Sequence, residues 1–162
     1  MKISLYALFF TALLLLNACE PVEEDTDPNL NTNELKDAED KTVKLINDYR
    51  VSIGKKPFEY NEAIYNACLE HSQSMATNKT AFGHDGFKER VDKISKRMSL
   101  SSAAENVAKN QGFSDPAQTA YSGWLKSPGH KTNIEGDYTH AAIAVAKAAD
   151  GTFFFTQIFV KE

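Results

Sequence analysis

The stretch THAAIAVAKAADGTFFFTQIFVK, residues 139–161, predicts the fold because it contains two strands in succession. Apolar side chains alternate with others or form continuous runs in residues 139–147 and 151–161. The AADG segment between the two ranges carries the turn signal Asp150-Gly151. The two strands are therefore expected to form an antiparallel hairpin. The periodic segments that precede the hairpin are helical, and helices followed by antiparallel strands favour an α+β fold over a wound α/β fold.

Two amphipathic helices are predicted in the first half of the chain. Residues 34–50 place apolar side chains at helical spacing opposite a charged face. A second helix is predicted to begin after Asn61, whose side chain is a suitable N-cap, and it directs Cys68 and His71 inward.

Further along the chain the pattern is less regular. Residues 88–95 predict a short helix, whereas SSAAENVAKN, residues 101–110, has no clear period. Another helix is predicted to start at the SDP run of residues 114–116, with Ser114 as its cap, and to stop at a turn formed by Pro-Gly at residues 128–129.

The N-terminus has the character of a secretory signal. Residues 1–18 contain one lysine, then an apolar run that is about half the ~20 residues a membrane-spanning helix needs, then a small residue before Cys19. The segment LNAC resembles the bacterial lipobox, in which the cysteine is lipidated and becomes the mature N-terminus. The alternative for Cys19 is a disulfide with Cys68, the only other cysteine, which an oxidising compartment would permit.

Residues 19–33 predict an acidic, disordered tether, since they hold five carboxylates and no basic residue. Acidic residues after a lipidated cysteine also resemble surface-export signals of some Gram-negative lipoproteins, and a solvated spacer explains them equally well. The remaining domain, residues 34–162, contains 17 acidic and 17 basic side chains. A neutral domain without a basic stripe gives no reason to expect a nucleic-acid partner.

The candidate chemical groups are few: Glu105 and the four histidines His71, His84, His130 and His140. The sequence has no serine-hydrolase elbow, P-loop, zinc-protease helix or paired cysteines. The apolar helical setting of Cys68 argues against a nucleophile and favours an inert buried thiol. Imidazoles suit zinc or copper, but histidines in loops are often structural, and no two of these stand at the short spacing of ligands on one element. Both interpretations remain open from spacing alone.

Five segments, in this order along the chain, resemble the bacterial, SCP-like extracellular branch of the CAP superfamily: AFGHDGFKERV, AAENVAKN, WLKSPGHKTNI, THAAIAVA and FFFTQIF. Its animal and plant members include cysteine-rich secretory proteins and pathogenesis-related proteins. The resemblance covers nearly all of residues 36–160. It implies a three-layer α-β-α sandwich with a small antiparallel sheet, formed by a CAP domain in residues 34–162, and a cleft lined by histidines and glutamates.

The resemblance also implies roles for particular residues. His84 matches the first cleft histidine, Glu105 the glutamate of the family's G-E-N segment, and His140 the second cleft histidine. In several members the two histidines bind zinc or another divalent ion, beside which Glu105 would act as a water-orienting base or a hydrogen-bond partner. His130 is expected either at the cleft rim or as a tie for its turn, and His71 is expected to pack inside as a structural residue.

This sequence departs from the family pattern at two places. Ala104 stands where glycine usually precedes the glutamate, and Lys126 and Ser127 occupy the neighbourhood of a second cleft glutamate. The implied four-residue acid-base constellation is thus incomplete.

The resulting expectation is a bacterial lipoprotein, anchored extracytoplasmically to the outer membrane or cell surface, whose cleft binds a small molecule, peptide or glycan, with or without a divalent ion such as zinc. One alternative is a metal-assisted hydrolase of peptide or cell-envelope substrates, with Glu105 as the base. Another is a structural surface protein with a degenerate cleft.

Overall fold

The computed structural model of the chain describes its backbone over residues 28–162 and its side chains from residue 32 onward. Its elements, in chain order, are α1 (Pro28–Ser52), α2 (Glu62–Ala76), α3 (Phe87–Ser95), β1 (Ser102–Asn110), α4 (Pro116–Lys126), α5 (Pro128–Glu135), β2 (His140–Lys147) and β3 (Phe153–Lys161). The predicted signal of residues 1–18, Cys19 and residues 20–27 of the predicted tether lie outside the described residues. None of the helices described is both long and apolar enough to cross a bilayer.

The three strands form one antiparallel sheet in the order β1-β3-β2. The predicted hairpin is confirmed, with His140 opposite Val160 and Lys147 opposite Phe153. The central strand β3 is covered on both faces, and every residue in it except Lys161 is buried. The segment SSAAENVAKN, which has no clear period in the sequence, contains β1, and this strand pairs along its whole length with β3.

Helices cover both faces of this sheet, so the expected three-layer α-β-α sandwich is confirmed. On one face, Ile143, Val145 and Phe155 pack against α1 and α4. On the other face, Ala142, Ala144, Ile158 and Val160 pack against α2 and α3. Trp124 of α4 is fully buried, and its indole N–H donates to the Val107 carbonyl at 3.0 Å, which joins this helix to β1.

Three helix boundaries differ from the sequence predictions. The first helix begins at Pro28, so its first turns fall within the predicted tether. Asp115, not Ser114, is the N-cap of α4, because its carboxylate accepts the Gln118 N–H at 3.0 Å. The predicted Pro-Gly turn at residues 128–129 is wrong: proline occupies the first position of α5, where its missing N–H leaves no helical bond unmade.

The N-cap of α2 provides a local test of the fold. Asn61 has extended backbone geometry, and its Oδ1 accepts the N–H groups of Ala63 and Ile64 at 2.8 and 3.3 Å. We expect Asn61→Ala to lower the free energy of unfolding by about 1 kcal/mol in urea denaturation, because these two donors lose their partner. Asn61→Asp retains the acceptor oxygen and adds a favourable charge at the helix N-terminus, so it should retain the stability. Equal losses in the two variants would contradict the capping role.

Candidate functional site

A buried ion pair between β1 and α3 forms the base of the site. The Glu105 side chain is only 1 % exposed and the Arg90 side chain is buried with it. The Arg90 Nε donates to Glu105 Oε2 and its Nη2 donates to Oε1, both at 2.8 Å. A carboxylate removed from water requires such a partner, and the two parallel bonds fix the orientation of both side chains.

His84 lies above this pair, in the loop before α3. Its Nδ1 is 2.9 Å from Glu105 Oε1, and its side chain is 52 % exposed. Because the carboxylate accepts, Nδ1 donates, and the lone pair of the neutral ring is then on Nε2. Arg90 also donates from Nη1 to the Asp85 carbonyl at 2.8 Å, so the same guanidinium holds both the carboxylate and the histidine loop.

His71 of α2 supports Arg90 from below. It is buried, its Nε2 donates to the Gly83 carbonyl at 2.9 Å, and its Nδ1 accepts from Arg90 Nη1 at 3.1 Å. Burial lowers the pKa of His71, and the charge of Arg90 lowers it further. The predicted inward orientation is confirmed, and the ring links α2 to the loop that carries His84.

His130 approaches the same region from α5. The Asn133 amide donates to Asn106 Oδ1 at 2.9 Å, and the Asn106 amide donates to the His130 carbonyl at 3.1 Å. These bonds hold α5 against β1. Burial lowers the pKa of His130, and the charge of His84 lowers it further. The backbone of His130 is held by the bond from the Asn106 amide, and its ring is half-buried.

His140, expected as the second cleft histidine, lies among other groups. Its Nε2 is 3.6 Å from Glu59 Oε2 and 4.0 Å from Glu162 Oε2, and its Nδ1 is 2.9 Å from the Thr139 hydroxyl. Glu59 pairs with the outer edge of β2 beside His140. Glu59 and Thr139 thus lie at the edge of the sheet farthest from β1, while Glu162 follows the central strand β3.

The register separates His140 from Glu105. His140 lies opposite Val160 on β3, and Val160 lies opposite Ala103 on β1. The backbones of β2 and β1 are therefore two strand spacings apart, roughly 10 Å, and Glu105 is a further two residues along β1 from Ala103. Among residues 32–162, no group of three or more histidine, cysteine, aspartate or glutamate side chains is arranged to hold a metal. The structure thus brings His84 and Glu105 together, whereas His140, expected beside them, lies with Glu59 and Glu162.

Two elements of this site were missed in the sequence. Arg90 carries the ion pair, yet a single arginine in a short charged helix resembles a solvated surface residue. The helical start signal of Pro128 could have placed His130 and Asn133 on one face of a helix, at i and i+3, instead of in a turn.

Cys68 has no part in this site. It is a free thiol, fully buried, with Sγ 3.4 Å from the Ala142 carbonyl, and burial raises its pKa. The prediction of a small, inert buried side chain agrees with this environment.

The fold and these motifs belong to a known family. Residues 43–159 match the model of CAP, the cysteine-rich secretory protein family, and the chain is a member of it. No curated protein matches the chain significantly.

Solved structures from bacteria share the fold. An extracellular protein with an SCP domain from Bacillus anthracis has a TM-score of 0.69 at 21% identity, covering 83% of this chain and 44% of its own. A cysteine-rich secretory protein from Staphylococcus aureus has a TM-score of 0.61 at 22% identity, and the match covers 88% of this chain and 41% of the Staphylococcus chain. An outer surface protein from Borrelia burgdorferi has a TM-score of 0.61 at 19% identity, and the match covers 84% of this chain and 96% of the Borrelia chain. The chain thus spans less than half the length of the Bacillus and Staphylococcus proteins.

Burial of His71 predicts a loss of stability in acid. Its folded pKa lies below the 6.5 of an ordinary histidine, so its contribution is complete above pH 6.5 and is lost as the pH falls through the folded value. We expect the free energy of unfolding to decrease between pH 7.5 and about 5, and to decrease less in His71→Gln, whose amide makes similar bonds without titrating.

Urea denaturation across this pH range measures the difference. His130 acts with the same sign but is present in both proteins, so the comparison isolates His71. Identical pH slopes for the two proteins would show that His71 is not held as a buried neutral ring.

Proposed function

We propose that this protein is a lipid-anchored, extracytoplasmic CAP-domain protein that binds a ligand in the cleft between His84 and His130. The observation that carries the proposal is the exposed His84 ring, held from beneath by the buried pair of Glu105 and Arg90. Because Nδ1 is bonded to Glu105, the orientation of this half-exposed ring is fixed and its Nε2 is left for a partner from outside the chain. The extracellular and outer-surface proteins with this fold, together with the predicted signal and lipidated Cys19, support the location.

The cleft offers imidazole nitrogens as its recognition groups. His84 presents the Nε2 lone pair, and the lowered pKa of His130 keeps that ring neutral near pH 7. Neutral imidazoles accept hydrogen bonds from hydroxyl and amide donors and coordinate divalent metals. Small molecules, peptides and glycans carry such donors and form the proposed ligand class.

The donor set also fits a labile divalent ion. A metal-binding histidine commonly donates its other ring nitrogen to a carboxylate, as His84 does to Glu105. His84 Nε2 and His130 would hold the ion, with water or the ligand in the remaining positions, since the described residues bring no third ligand there. A bound ion such as zinc would supply Lewis-acid chemistry to the cleft.

The geometry supports binding better than hydrolysis. Both oxygens of Glu105 accept from Arg90, and one of them also accepts from His84. A base that activates water needs a free oxygen directed at that water. Glu105 is thus proposed as a positioning residue for His84.

Zinc is a direct probe of the proposed cleft. We expect Zn²⁺, titrated into the protein at neutral pH, to shift the ring NMR signals of His84 and His130 together. His84→Ala and His130→Ala should each weaken binding by about tenfold or more, because each removes one of two protein ligands. Isothermal titration calorimetry measures the affinity, and thermal melting checks that both variants are folded.

His140→Ala is the matched control for these variants. It removes an imidazole that lies at the opposite edge of the sheet and should leave zinc affinity unchanged. Loss of zinc in His140→Ala, with retention in His130→Ala, would contradict the proposed cleft and restore the pairing expected from the motifs.

The lipid anchor is tested by replacing the two cysteines separately. When the full chain is expressed in a bacterium, we expect it to fractionate with membranes and incorporate labelled fatty acid. Cys19→Ala should abolish both properties, because its sulfur is the proposed attachment point, whereas Cys68→Ala should retain them. Labelling that persists in Cys19→Ala would refute lipidation at this position.

A further inference from the structure

A cavity of about 470 Å³ lies between α1 and the outer edge of β2, away from the histidine cleft. Its volume is within the range of small-molecule sites, about 300–1,000 Å³. Its lining includes Glu39, Val43 and Ile46 of α1, Phe58 in the loop before α2, and Ile143 and Gln157 of the sheet. None of the residues of the proposed histidine cleft lines it.

The wall of this cavity contains an unpartnered acceptor. Gln157 is 1 % exposed, and its Oε1 makes no hydrogen bond within the part of the chain that the structure describes. A buried polar atom without a partner costs free energy, so native proteins rarely retain one without a reason. This oxygen is closed to water, so a donor entering from the cavity would satisfy it only where a small shift of the wall lets it reach the oxygen.

A buried carboxylate lies in the same cavity. Glu39 is 6 % exposed, and its Oε1 accepts the Val145 N–H at 2.9 Å. The Tyr65 hydroxyl is 3.4 and 3.3 Å from the two oxygens, which leaves Oε2 without a short hydrogen bond. Burial raises the pKa of Glu39, and the Val145 N–H, the Tyr65 hydroxyl and the charge of Lys36 compensate for this only in part. A positively charged donor next to it would offset that cost.

The remaining lining favours an organic cation. Asp40 adds a second carboxylate, and Lys36, the basic residue of the lining, is already paired with it. Tyr60 and Tyr65 lie with their ring centroids 6.1 Å apart, and their faces suit a cation. Phe58 is fixed by the Arg50 guanidinium at 3.7 Å from its ring centroid, which provides a rigid apolar wall.

We propose that this cavity is a second ligand site, which binds a small amphiphilic amine. Its apolar or aromatic body packs against Val43, Ile46 and Phe58, and its ammonium group donates to Glu39 and Gln157. The site is independent of the proposed histidine cleft, because the two have no residue in common.

The probe is 2-phenylethylamine, titrated into the full chain and followed by backbone amide NMR. We expect saturable shifts at residues of the cavity, including Ile143 and Gln157. Propylbenzene, which replaces the ammonium with a methyl group, and 3-phenylpropionate, which carries a negative charge, should bind at least about tenfold more weakly, because neither can donate to the carboxylate. Equal binding of either analogue, or no saturable shift with the amine, would overturn the proposal.

Two variants locate the recognition groups. Glu39→Gln retains an acceptor for the Val145 N–H but loses the charge, and Gln157→Met keeps a similar volume while removing the orphan acceptor. Each should weaken amine binding by about fivefold or more, and Gln157→Met should not lower the melting temperature, since it removes an unsatisfied polar atom.

His84→Ala is the control and should bind the amine normally. Unchanged affinity in both cavity variants would refute this site.

Discussion

The buried ion pair of Glu105 and Arg90 organises the histidine end of this molecule. The guanidinium donates to three different segments: to the carboxylate of Glu105 on β1, to the ring of His71 on α2, and to the Asp85 carbonyl in the loop that carries His84. A buried charge that loses its partner typically costs about 3–5 kcal/mol, so removing either side chain alone is expected to destabilise the protein strongly. Its principal effect is positional, because it joins segments that the bonds of His71 to Gly83 and of His84 to Glu105 also link.

The alternation of β1 extends this organisation to the opposite layer. Glu105 faces α3, and the adjacent Asn106 faces α5, where it contacts the His130 carbonyl and Asn133. Because β1 is an edge strand, the loop before α3 and the start of α5 can approach each other around it. One dipeptide therefore positions both His84 and His130, although they come from distant parts of the chain and from opposite faces of the sheet.

The sequence predicted those features whose signals are local. The hairpin followed from apolar alternation and a turn, α2 from its cap and periodicity, and the family from the order of short motifs. The strand β1 was not recognised, since its centre is the polar pair Glu105 and Asn106, and their partners lie far along the chain. The placement of His140 in the cleft came from motif matching. Alternation assigns a strand residue to a face, but only the strand order determines how far across the sheet its neighbours lie.

The tautomers of the histidine rings test the central contact most directly. At a pH where the rings are neutral, long-range ¹H–¹⁵N NMR distinguishes a proton on Nδ1 from one on Nε2. If Glu105 holds His84, its proton resides on Nδ1, while His71, which donates to the Gly83 carbonyl, carries its proton on Nε2 in the same spectrum. A His84 ring protonated on Nε2, or averaging freely between the two forms, would contradict the arrangement on which the proposed cleft depends.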